Sequence, residues 1–244
     1  MVKKKKPPLI SIIIPTLNAA KYLQTALDSV ISNAYPAKEL IVVDGCSVDE
    51  TVQVIKRNQA FIASWISEPD NGIYDAMEKG VQLAKGDWIY FLGADDKLVN
   101  CLEEVSKHLR NPKRIYYGNS YFLTSNTVYD GKFTWVKLLK KNICHQSIFY
   151  PRAVFSEYKF DPQYKVLGDY DLNIRCWAEN KYKFVYIPVL VGIYNDSGFS
   201  AIDGGVDYMR IRQNTVETFF HRQLKIRRFF RRILRNLKPT NLCV

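Results

Sequence analysis

The first hundred residues alternate between short apolar runs and longer segments in which apolar residues recur every three or four positions. The apolar runs predict four β-strands, at residues 9–14, 40–43, 64–67 and 88–92. The longer segments predict three helices, at residues 20–31, 50–57 and 73–84. Asn18 and Asp49 precede the first two helices and are expected to cap them. Strands that alternate with helices in this way predict βαβ crossovers and a mostly parallel sheet.

The fourth apolar run ends abruptly in two adjacent carboxylates. Residues 88–93 carry no charge and are rich in aromatic side chains, which predicts a strand buried on both faces, and Asp95 and Asp96 follow it. Two neighbouring carboxylates are suited to a hard cation such as Mg²⁺ or Mn²⁺. They are also suited to cap the helix predicted at residues 98–109, and the pair considered alone favours the cap.

Acidic side chains also follow the second and third predicted strands. Asp44 ends the second strand, and Glu68 and Asp70 follow the third. The carboxyl ends of parallel strands open on one side of a sheet, so these acids and the aspartate pair are expected to line one crevice. No GxGxxG motif follows the first strand and no GxxxxGK[ST] motif occurs, so neither a dinucleotide fingerprint nor a P-loop is predicted. The sequence therefore favours a ligand site of another kind at this edge.

The pattern changes near residue 115. Residues 115–128 are rich in Tyr, Thr, Ser and Asn, which predicts strands that partly face solvent and pair antiparallel. Further strands are expected at residues 147–150, 184–187 and 189–194, and a helix is expected from Gly168 to Trp177. Residues 195–205, rich in Gly, Ser and Asp, are predicted to form a loop.

The formal net charge of +11 lies almost entirely at the two ends of the chain. Residues 3–6 are four lysines, residues 222–238 carry eight basic and no acidic side chains, and the remainder is nearly neutral. A nucleic-acid groove needs cations spread over the folded surface, so no nucleic-acid partner is predicted. The length of 244 residues, with 47% apolar and 24% charged residues, indicates one large globular α/β domain.

Residues 219–238 combine apolar side chains at helical spacing with the eight basic ones, which predicts a basic amphipathic helix. Two readings stay open: the helix binds an anionic membrane surface, or it packs on the domain with its basic face solvated. No run of 18 apolar residues and no signal peptide occur, so we expect a cytoplasmic protein, with the first reading placing it on the inner membrane face. The five cysteines form no CxxC pair, so neither a disulfide framework nor a zinc site is predicted.

Four motifs in succession resemble the family 2 glycosyltransferases, and above all the bacterial branch that builds surface polysaccharides and glycolipids. They are residues 13–18 (IIPTLN), 43–49 (VDGCSVD), 67–76 (SEPDNGIYDA) and 91–96 (FLGADD). The resemblance covers residues 9–200 and implies a GT-A fold, an α/β architecture in which a Rossmann-like nucleotide half joins a mixed-sheet acceptor half. The implied divisions are a basic terminus (1–8), a nucleotide half (9–112), an acceptor half (113–205) and a helical basic extension (206–244).

The resemblance also implies roles for individual residues. Contact with the donor, a nucleoside diphosphate sugar with UDP favoured, is implied for Pro15, Thr16, Asn18, Asp44, Ser47, Asp70, Gly72, Asp75 and Asp95. Asp95 and Asp96 correspond to the family's Asp-x-Asp metal motif for Mn²⁺ or Mg²⁺. Gly93 stands where the first aspartate commonly falls, so the metal is expected mainly on Asp95.

On the acceptor side, Asp169 in the segment Gly-Asp-Tyr-Asp-Leu corresponds to the family's catalytic base. Without the resemblance, a helix cap would be the preferred reading of Asp169. His145 and Gln146 match a pair near the acceptor, which is expected to be a glycan or a lipid-linked saccharide. The implied reaction is metal-dependent sugar transfer with inversion. The alternatives are a non-catalytic membrane or nucleic-acid adaptor that uses the basic ends, and a sugar nucleotidyltransferase, which the lack of a Gly-rich, Lys-containing loop after the first strand disfavours.

Overall fold

A computed structural model describes residues 6–129, 131–196 and 205–220. Within these residues nine strands form one sheet. They are β1 (Ile10–Thr16), β2 (Lys38–Asp44), β3 (Ser64–Ser67), β4 (Trp88–Phe91), β5 (Lys97–Leu98), β6 (Arg114–Phe122), β7 (Thr127–Tyr129), β8 (Ile148–Pro151) and β9 (Lys183–Tyr194). Their order is β3-β2-β1-β4-β8-β6-β9-β5, with β7 paired to β6.

Eight α-helices accompany the sheet in the described part of the chain. They are α1 (Ala20–Ile31), α2 (Thr51–Arg57), α3 (Ile73–Leu83), α4 (Leu102–His108), α5 (Trp135–Leu138), α6 (Val154–Glu157), α7 (Gly168–Glu179) and α8 (Gly205–Ile211). None of the helices described is both long and apolar enough to cross a bilayer.

The four strands predicted in the first half are parallel neighbours, in the order β3-β2-β1-β4. Every residue of β1 is buried because helices cover both faces of the sheet. Ile13 packs toward α3, while Ile12 and Ile14 point to the opposite face and pack with Leu23 and Leu27 of α1. The βαβ pattern therefore brings the carboxyl ends of all four strands to one edge, as the sequence predicted.

The second half is a mixed sheet, with two departures from the prediction. Antiparallel pairing holds for β6 with β7 and β8, but β6 and β9 run parallel. The two closing strands expected at residues 184–187 and 189–194 are one strand, because the register between β6 and β9 shifts on either side of Asn119 and accommodates Pro188. Gly118 faces this irregularity: a Cβ there would lie 2.4 Å from the carbonyl oxygen of Val189.

The predicted helix at residues 98–109 begins only at Leu102. Residues Lys97–Leu98 instead form β5, which pairs with β9. Asp95 and Asp96 therefore do not cap a helix, since the N-cap of α4 is Cys101. The tertiary pairing with β9 overrides the local helical preference, which no local pattern in the sequence indicates.

The caps of the first two helices also differ from the prediction. Asn18 does not cap α1: its φ is 50°, and its side chain makes no capping hydrogen bond at the start of this helix. The α1 terminus is held by Asp49, whose Oδ2 accepts from Ala20 N at 3.1 Å, and by Thr51, whose hydroxyl accepts from Ala19 N at 2.8 Å. Asp49 Oδ1 also accepts from Thr51 N at 3.0 Å, so this carboxylate joins the starts of α1 and α2.

The C-terminal described residues pack against the second half of the fold. A π-helical turn (Arg212–Val216) follows α8, and Ile211, Val216 and Phe220 are buried in the core. The rings of Phe220 and Trp135 stack with centroids 6.0 Å apart. The predicted amphipathic helix thus starts with a residue that packs on the domain, while its basic residues from 222 onward lie outside the described residues.

Candidate active site

A cavity of about 380 Å³ opens at the carboxyl ends of β1 and β4. Among the residues that line it are nine of those predicted from sequence: Pro15, Thr16, Asn18, Asp70, Gly72, Asp95, Asp96, His145 and Gln146. We call it the donor cavity. Asp44, Ser47 and Asp75 do not line it, and Asp169 lines a neighbouring cavity.

Thr16 ends β1 at the floor of the donor cavity. Its side chain is buried, yet its hydroxyl has no hydrogen-bond partner among the described residues. A buried polar group without a partner costs about 1–3 kcal/mol, so such groups are commonly completed by a ligand or water. Thr16 is therefore suited to contact whatever enters this cavity.

Asp44 and Ser47 do not line the donor cavity but hold a loop that does. Asp44 is fully buried, and its Oδ2 accepts from Ser47 N at 3.0 Å and from the Ser67 hydroxyl at 2.6 Å, while Ser47 Oγ donates to Oδ1. Ser47 Oγ in turn accepts from Asn18 N at 2.7 Å. Asp44 thus fixes the loop that carries Asn18, and a direct contact between Asp44 and a nucleotide stays a prediction.

The loop between β3 and α3 forms one side of the cavity. Gly72 adopts φ 113°, a region that favours glycine, and its N–H donates to Asp70 Oδ1 at 2.9 Å. Asp70 lies directly over Gly45, where an added Cβ would be 2.4 Å from Asp70 Oδ2. Asp75 turns back to accept from Asn71 N at 2.9 Å, so it shapes this loop instead of facing the cavity.

The two adjacent aspartates have different environments. Asp96 is 2% exposed, and its carboxylate accepts from Asn195 N at 2.8 Å and from Gln146 Nε2 at 2.6 Å. Burial raises the pKa of Asp96 to about 6, the neighbouring Asp95 charge adds to this, and the hydrogen bonds and His145 oppose it. Asp95 is partly exposed, and among the described residues its carboxylate accepts one hydrogen bond, from Asn195 Nδ2 at 3.2 Å.

Position 93, where the first aspartate of the family motif commonly stands, has no room for a side chain in this structure. A Cβ at this position would lie 2.3 Å from Asp96 Oδ2 and 3.2 Å from Asp95 Oδ1. The Asp96 carboxylate therefore occupies the space that a side chain at position 93 would need.

Among the described residues, no three His, Cys, Asp or Glu side chains form a cluster that could hold a cation by themselves. Magnesium-type sites at nucleotides commonly use one or two carboxylates, with phosphate oxygens and water completing the shell. Asp95 fits such a site because it is partly exposed in the cavity and lightly hydrogen-bonded. Asp96 fits less well as a ligand, since both its oxygens accept hydrogen bonds from the protein.

Asp169 lies in a second cavity of about 190 Å³, which we call the acceptor cavity. It is 6% exposed and lies in the first turn of α7, whose N-cap is Leu167, so it is not the cap. Its Oδ1 accepts from the Tyr74 hydroxyl at 3.0 Å and its Oδ2 accepts from Asn142 Nδ2 at 2.6 Å. The two cavities share four lining residues: Ile73, His145, Gln146 and Tyr194.

His145 lies at the boundary between the two cavities. Its Nδ1 is 3.5 Å from Asp169 Oδ2. Burial disfavours the charged imidazolium, but the Asp169 interaction, together with the charges of Asp96 and Asp95, outweighs burial and raises the pKa of His145. Asp169 therefore favours the charged form of His145 beside it.

This arrangement of parallel strand ends, paired aspartates and a buried third aspartate agrees with the family comparison. A family model described as "Glycosyl transferase family 2" matches residues 11–165, more than half of the chain. The chain belongs to glycosyltransferase family 2. The predicted enzyme class and family are thereby confirmed, and the adaptor and nucleotidyltransferase alternatives are set aside.

Relatives of this family 2 glycosyltransferase include a curated protein of Mycobacterium bovis named "PGL/p-HBAD biosynthesis glycosyltransferase". The two are 39% identical over 200 residues, which is 78% of each chain. The chondroitin synthase of Escherichia coli is 26% identical over 194 residues, or 74% of this chain and 28% of the synthase.

Two solved structures have the same fold. Staphylococcal TarS (S. aureus, residues 1–349, with UDP) aligns at a TM-score of 0.66 and 16% identity, over 77% of this chain and 60% of that one. A mannosyltransferase from Pyrobaculum calidifontis, in complex with GDP-Man and Mn²⁺, aligns at 0.63 and 17% identity, over 91% and 65%. The predicted GT-A architecture is confirmed.

Sequence reasoning missed three residues that hold the predicted site residues in place. Tyr74 and Asn142 hold Asp169, and Asn195 bonds both members of the aspartate pair. Tyr74 lies inside one of the four motifs, so the motif pointed to it without giving a role. Asn142 and Asn195 carry no local signal, because their partners are 27 and about 100 residues away in the chain.

Proposed function

We propose that this enzyme binds a nucleoside diphosphate sugar in the donor cavity and an acceptor hydroxyl in the acceptor cavity, and transfers the sugar with inversion. The observation that carries this proposal is the shared wall between the cavities, with Asp95 on one side and Asp169 on the other. A donor sugar held at that wall would meet an acceptor whose hydroxyl points at Asp169.

The proposed reaction is a single displacement at the anomeric carbon. The acceptor oxygen bonds to the anomeric carbon, the bond from that carbon to the diphosphate oxygen breaks, and the acceptor proton passes to the Asp169 carboxylate. A divalent cation on Asp95, when bound, would neutralise charge on the diphosphate. His145 as an imidazolium would place a positive charge beside the Asp169 carboxylate, and Thr16 would donate its hydroxyl, which has no partner among the described residues, to the nucleotide.

UDP is the proposed nucleotide and a glycolipid the proposed acceptor. The named Mycobacterium relative supports a role in glycolipid synthesis, and TarS has been solved with UDP and with UDP-GlcNAc. GDP-sugars are the donors to compare with UDP-sugars, because the mannosyltransferase was solved in complex with GDP-Man. Thermal-shift measurements with Mn²⁺ and UDP-glucose, UDP-GlcNAc or GDP-mannose test this: stabilisation by UDP-sugars supports the proposal, and stabilisation by GDP-mannose alone contradicts it.

The proposed metal role of Asp95 is tested by calorimetry with UDP and Mn²⁺. Asp95→Ala should abolish the increase in UDP affinity that Mn²⁺ causes, because the lightly bonded carboxylate is the proposed ligand. Asp28→Ala, which removes an exposed carboxylate on α1, is the control. An unchanged Mn²⁺ effect in Asp95→Ala would refute the assignment.

The proposed base role of Asp169 is tested by Asp169→Asn. The amide keeps the shape of the side chain but cannot accept the proton, so turnover should fall by about 10²–10⁴-fold. The affinity for UDP and Mn²⁺ should stay within about twofold, since Asp169 does not line the donor cavity. Near-normal turnover would show that another group is the base.

We also propose that the enzyme is cytoplasmic and binds the inner membrane face through residues 219–238. The eight basic side chains support this, because each Lys or Arg near an anionic surface contributes about 1 kcal/mol. A chain ending at residue 220 keeps Phe220 on Trp135 and serves as the comparison. Sedimentation with anionic vesicles should fall in the shortened chain, and equal binding by both chains would contradict the proposal.

A further inference from the structure

The geometry points to Tyr74 as a positioning residue that links the loop of Asp70 and Gly72 to Asp169 and changes its hydrogen-bond partner with the protonation state of this base. The inference rests on the proposed role of Asp169. Tyr74 lies in the first turn of α3, directly after the loop with Asp70 and Gly72 that lines the donor cavity. Its hydroxyl contacts Asp169, which lies 95 residues further along the chain. One side chain therefore links Asp169 in the acceptor cavity to the end of a loop that lines the donor cavity.

The Tyr74 hydroxyl has two oxygen neighbours and one proton. It is 2.6 Å from the carbonyl oxygen of Val166 and 3.0 Å from Asp169 Oδ1. Burial and the Asp169 charge raise the pKa of Tyr74 well above its ordinary value, so the hydroxyl keeps its proton. A hydroxyl hydrogen rotates to suit its partners, and an ionised carboxylate attracts it more strongly than a neutral carbonyl does.

This proton count gives Tyr74 a different hydrogen bond in each state of the base. While Asp169 is ionised, the hydroxyl donates to Oδ1. After the acceptor proton has passed to Asp169, the negative charge is gone, and the hydroxyl can donate to the Val166 carbonyl at 2.6 Å. Because 2.6 Å is a hydrogen-bonded distance, the Tyr74 and Val166 oxygens must move slightly apart when the proton points to Oδ1. Asn142 holds the other oxygen, Oδ2, at 2.6 Å throughout.

Gly168 provides the space that this contact requires. A Cβ at position 168 would lie 2.8, 2.9 and 3.1 Å from three atoms of the Tyr74 ring. The ring cannot yield easily, because it is buried and packs against Phe160 with centroids 4.9 Å apart. Gly168 therefore leaves the space that the Tyr74 ring occupies beside Asp169.

The test compares Tyr74→Phe with Tyr158→Phe. Tyr158 is the matched control, since it is also buried and donates to a carboxylate on the same helix, Glu179 at 2.6 Å, but does not touch Asp169. Turnover is measured as nucleoside diphosphate release from the sugar nucleotide that gives the fastest release with Mn²⁺, with octyl glycosides as acceptors. Tyr74→Phe should lower kcat by about 10- to 100-fold, as expected for loss of a hydrogen bond to a charged group. The donor KM should stay within about twofold, and Tyr158→Phe should leave kcat near wild type.

Gly168→Ala provides a second route to the same result without removing the hydroxyl. It should displace the Tyr74 ring and lower kcat, and in the Tyr74→Phe background it should add less than about twofold to the loss. In the Asp169→Asn background, Tyr74→Phe should likewise change the residual turnover by less than about twofold.

The outcomes separate this inference from the proposed function. Active Asp169→Asn would overturn both, because the base would then be another residue. Inactive Asp169→Asn with fully active Tyr74→Phe would overturn the role of Tyr74 alone. A full further loss when Tyr74→Phe is added to Asp169→Asn would also overturn it, since Tyr74 would then act independently of the base.

Discussion

Replacing Gly93 by alanine tests whether the aspartate pair is divided into a supporting and a ligand-binding member. The added Cβ would lie 2.3 Å from Asp96 Oδ2, so that oxygen must move by about 1 Å to reach an ordinary contact distance. We expect such a shift to lengthen or bend the 2.6 Å hydrogen bond that this oxygen accepts from Gln146 Nε2. Water cannot replace this hydrogen bond, because Asp96 is only 2% exposed.

Loss of this charge-assisted hydrogen bond should cost about 1.5–3 kcal/mol in the free energy of unfolding. For a protein of this size, the midpoint of thermal unfolding should then fall by about 3–12 °C. Differential scanning calorimetry of the metal-free protein measures the fall directly. Gly205→Ala is the matched control, since a Cβ there would meet no atom of the described residues within 4 Å.

An unfolding midpoint for Gly93→Ala that equals that of Gly205→Ala would refute the reasoning. Gly93→Asp extends the test, because it restores the family's Asp-x-Asp spacing. It should destabilise the protein further without strengthening Mn²⁺ binding. Stronger Mn²⁺ binding in Gly93→Asp, measured by calorimetry, would mean that Asp96 is free to move and that its support role is wrong.

Three further substitutions probe the site. His145→Gln should lower the free energy of unfolding more at pH 6 than at pH 9, as measured by chemical denaturation. The raised pKa of His145 stabilises the fold below about pH 6.5, and this stabilisation is lost as the pH rises through the folded-state pKa. An equal loss at both pH values would contradict this. Gly45→Ala should push Asp70 into the donor cavity and weaken UDP binding with Mn²⁺ by about tenfold, measured by calorimetry. Asp207→Asn should lower the free energy of unfolding by about 1–3 kcal/mol, since the carboxylate is buried and accepts from the two N–H groups just before α7; unchanged stability would contradict that.

The sequence predicted the first half of the fold because its strands and helices are adjacent in the chain and their periodicity is clear. Strands β1 to β4 lie where the apolar runs are, and the acidic residues after them converge because parallel strands share one open edge. The motifs located the donor cavity for the same reason, since its lining comes from strand ends.

The remainder depends on pairing between distant segments. Residues Lys97–Leu98 form a strand only because β9 lies beside them, and Asn18 leaves its expected cap because Asp49 and Thr51 take that place. Asp44 and Asp75 were predicted to contact the donor; their carboxylates bond the surrounding loops and do not line the donor cavity, so a direct contact stays a prediction. Which acids face a cavity and which support it is a property of packing, and sequence patterns do not encode it locally.

The configuration of the first-formed product tests the central claim most directly. Direct displacement, with Asp169 deprotonating the acceptor opposite the departing diphosphate, requires that the anomeric carbon be inverted once. Proton NMR of the product, from the anomeric coupling constant compared with that of the donor, should therefore show the opposite anomer. A product with the donor's configuration would contradict the account, because retention requires either a second displacement or attack from the face that the diphosphate leaves.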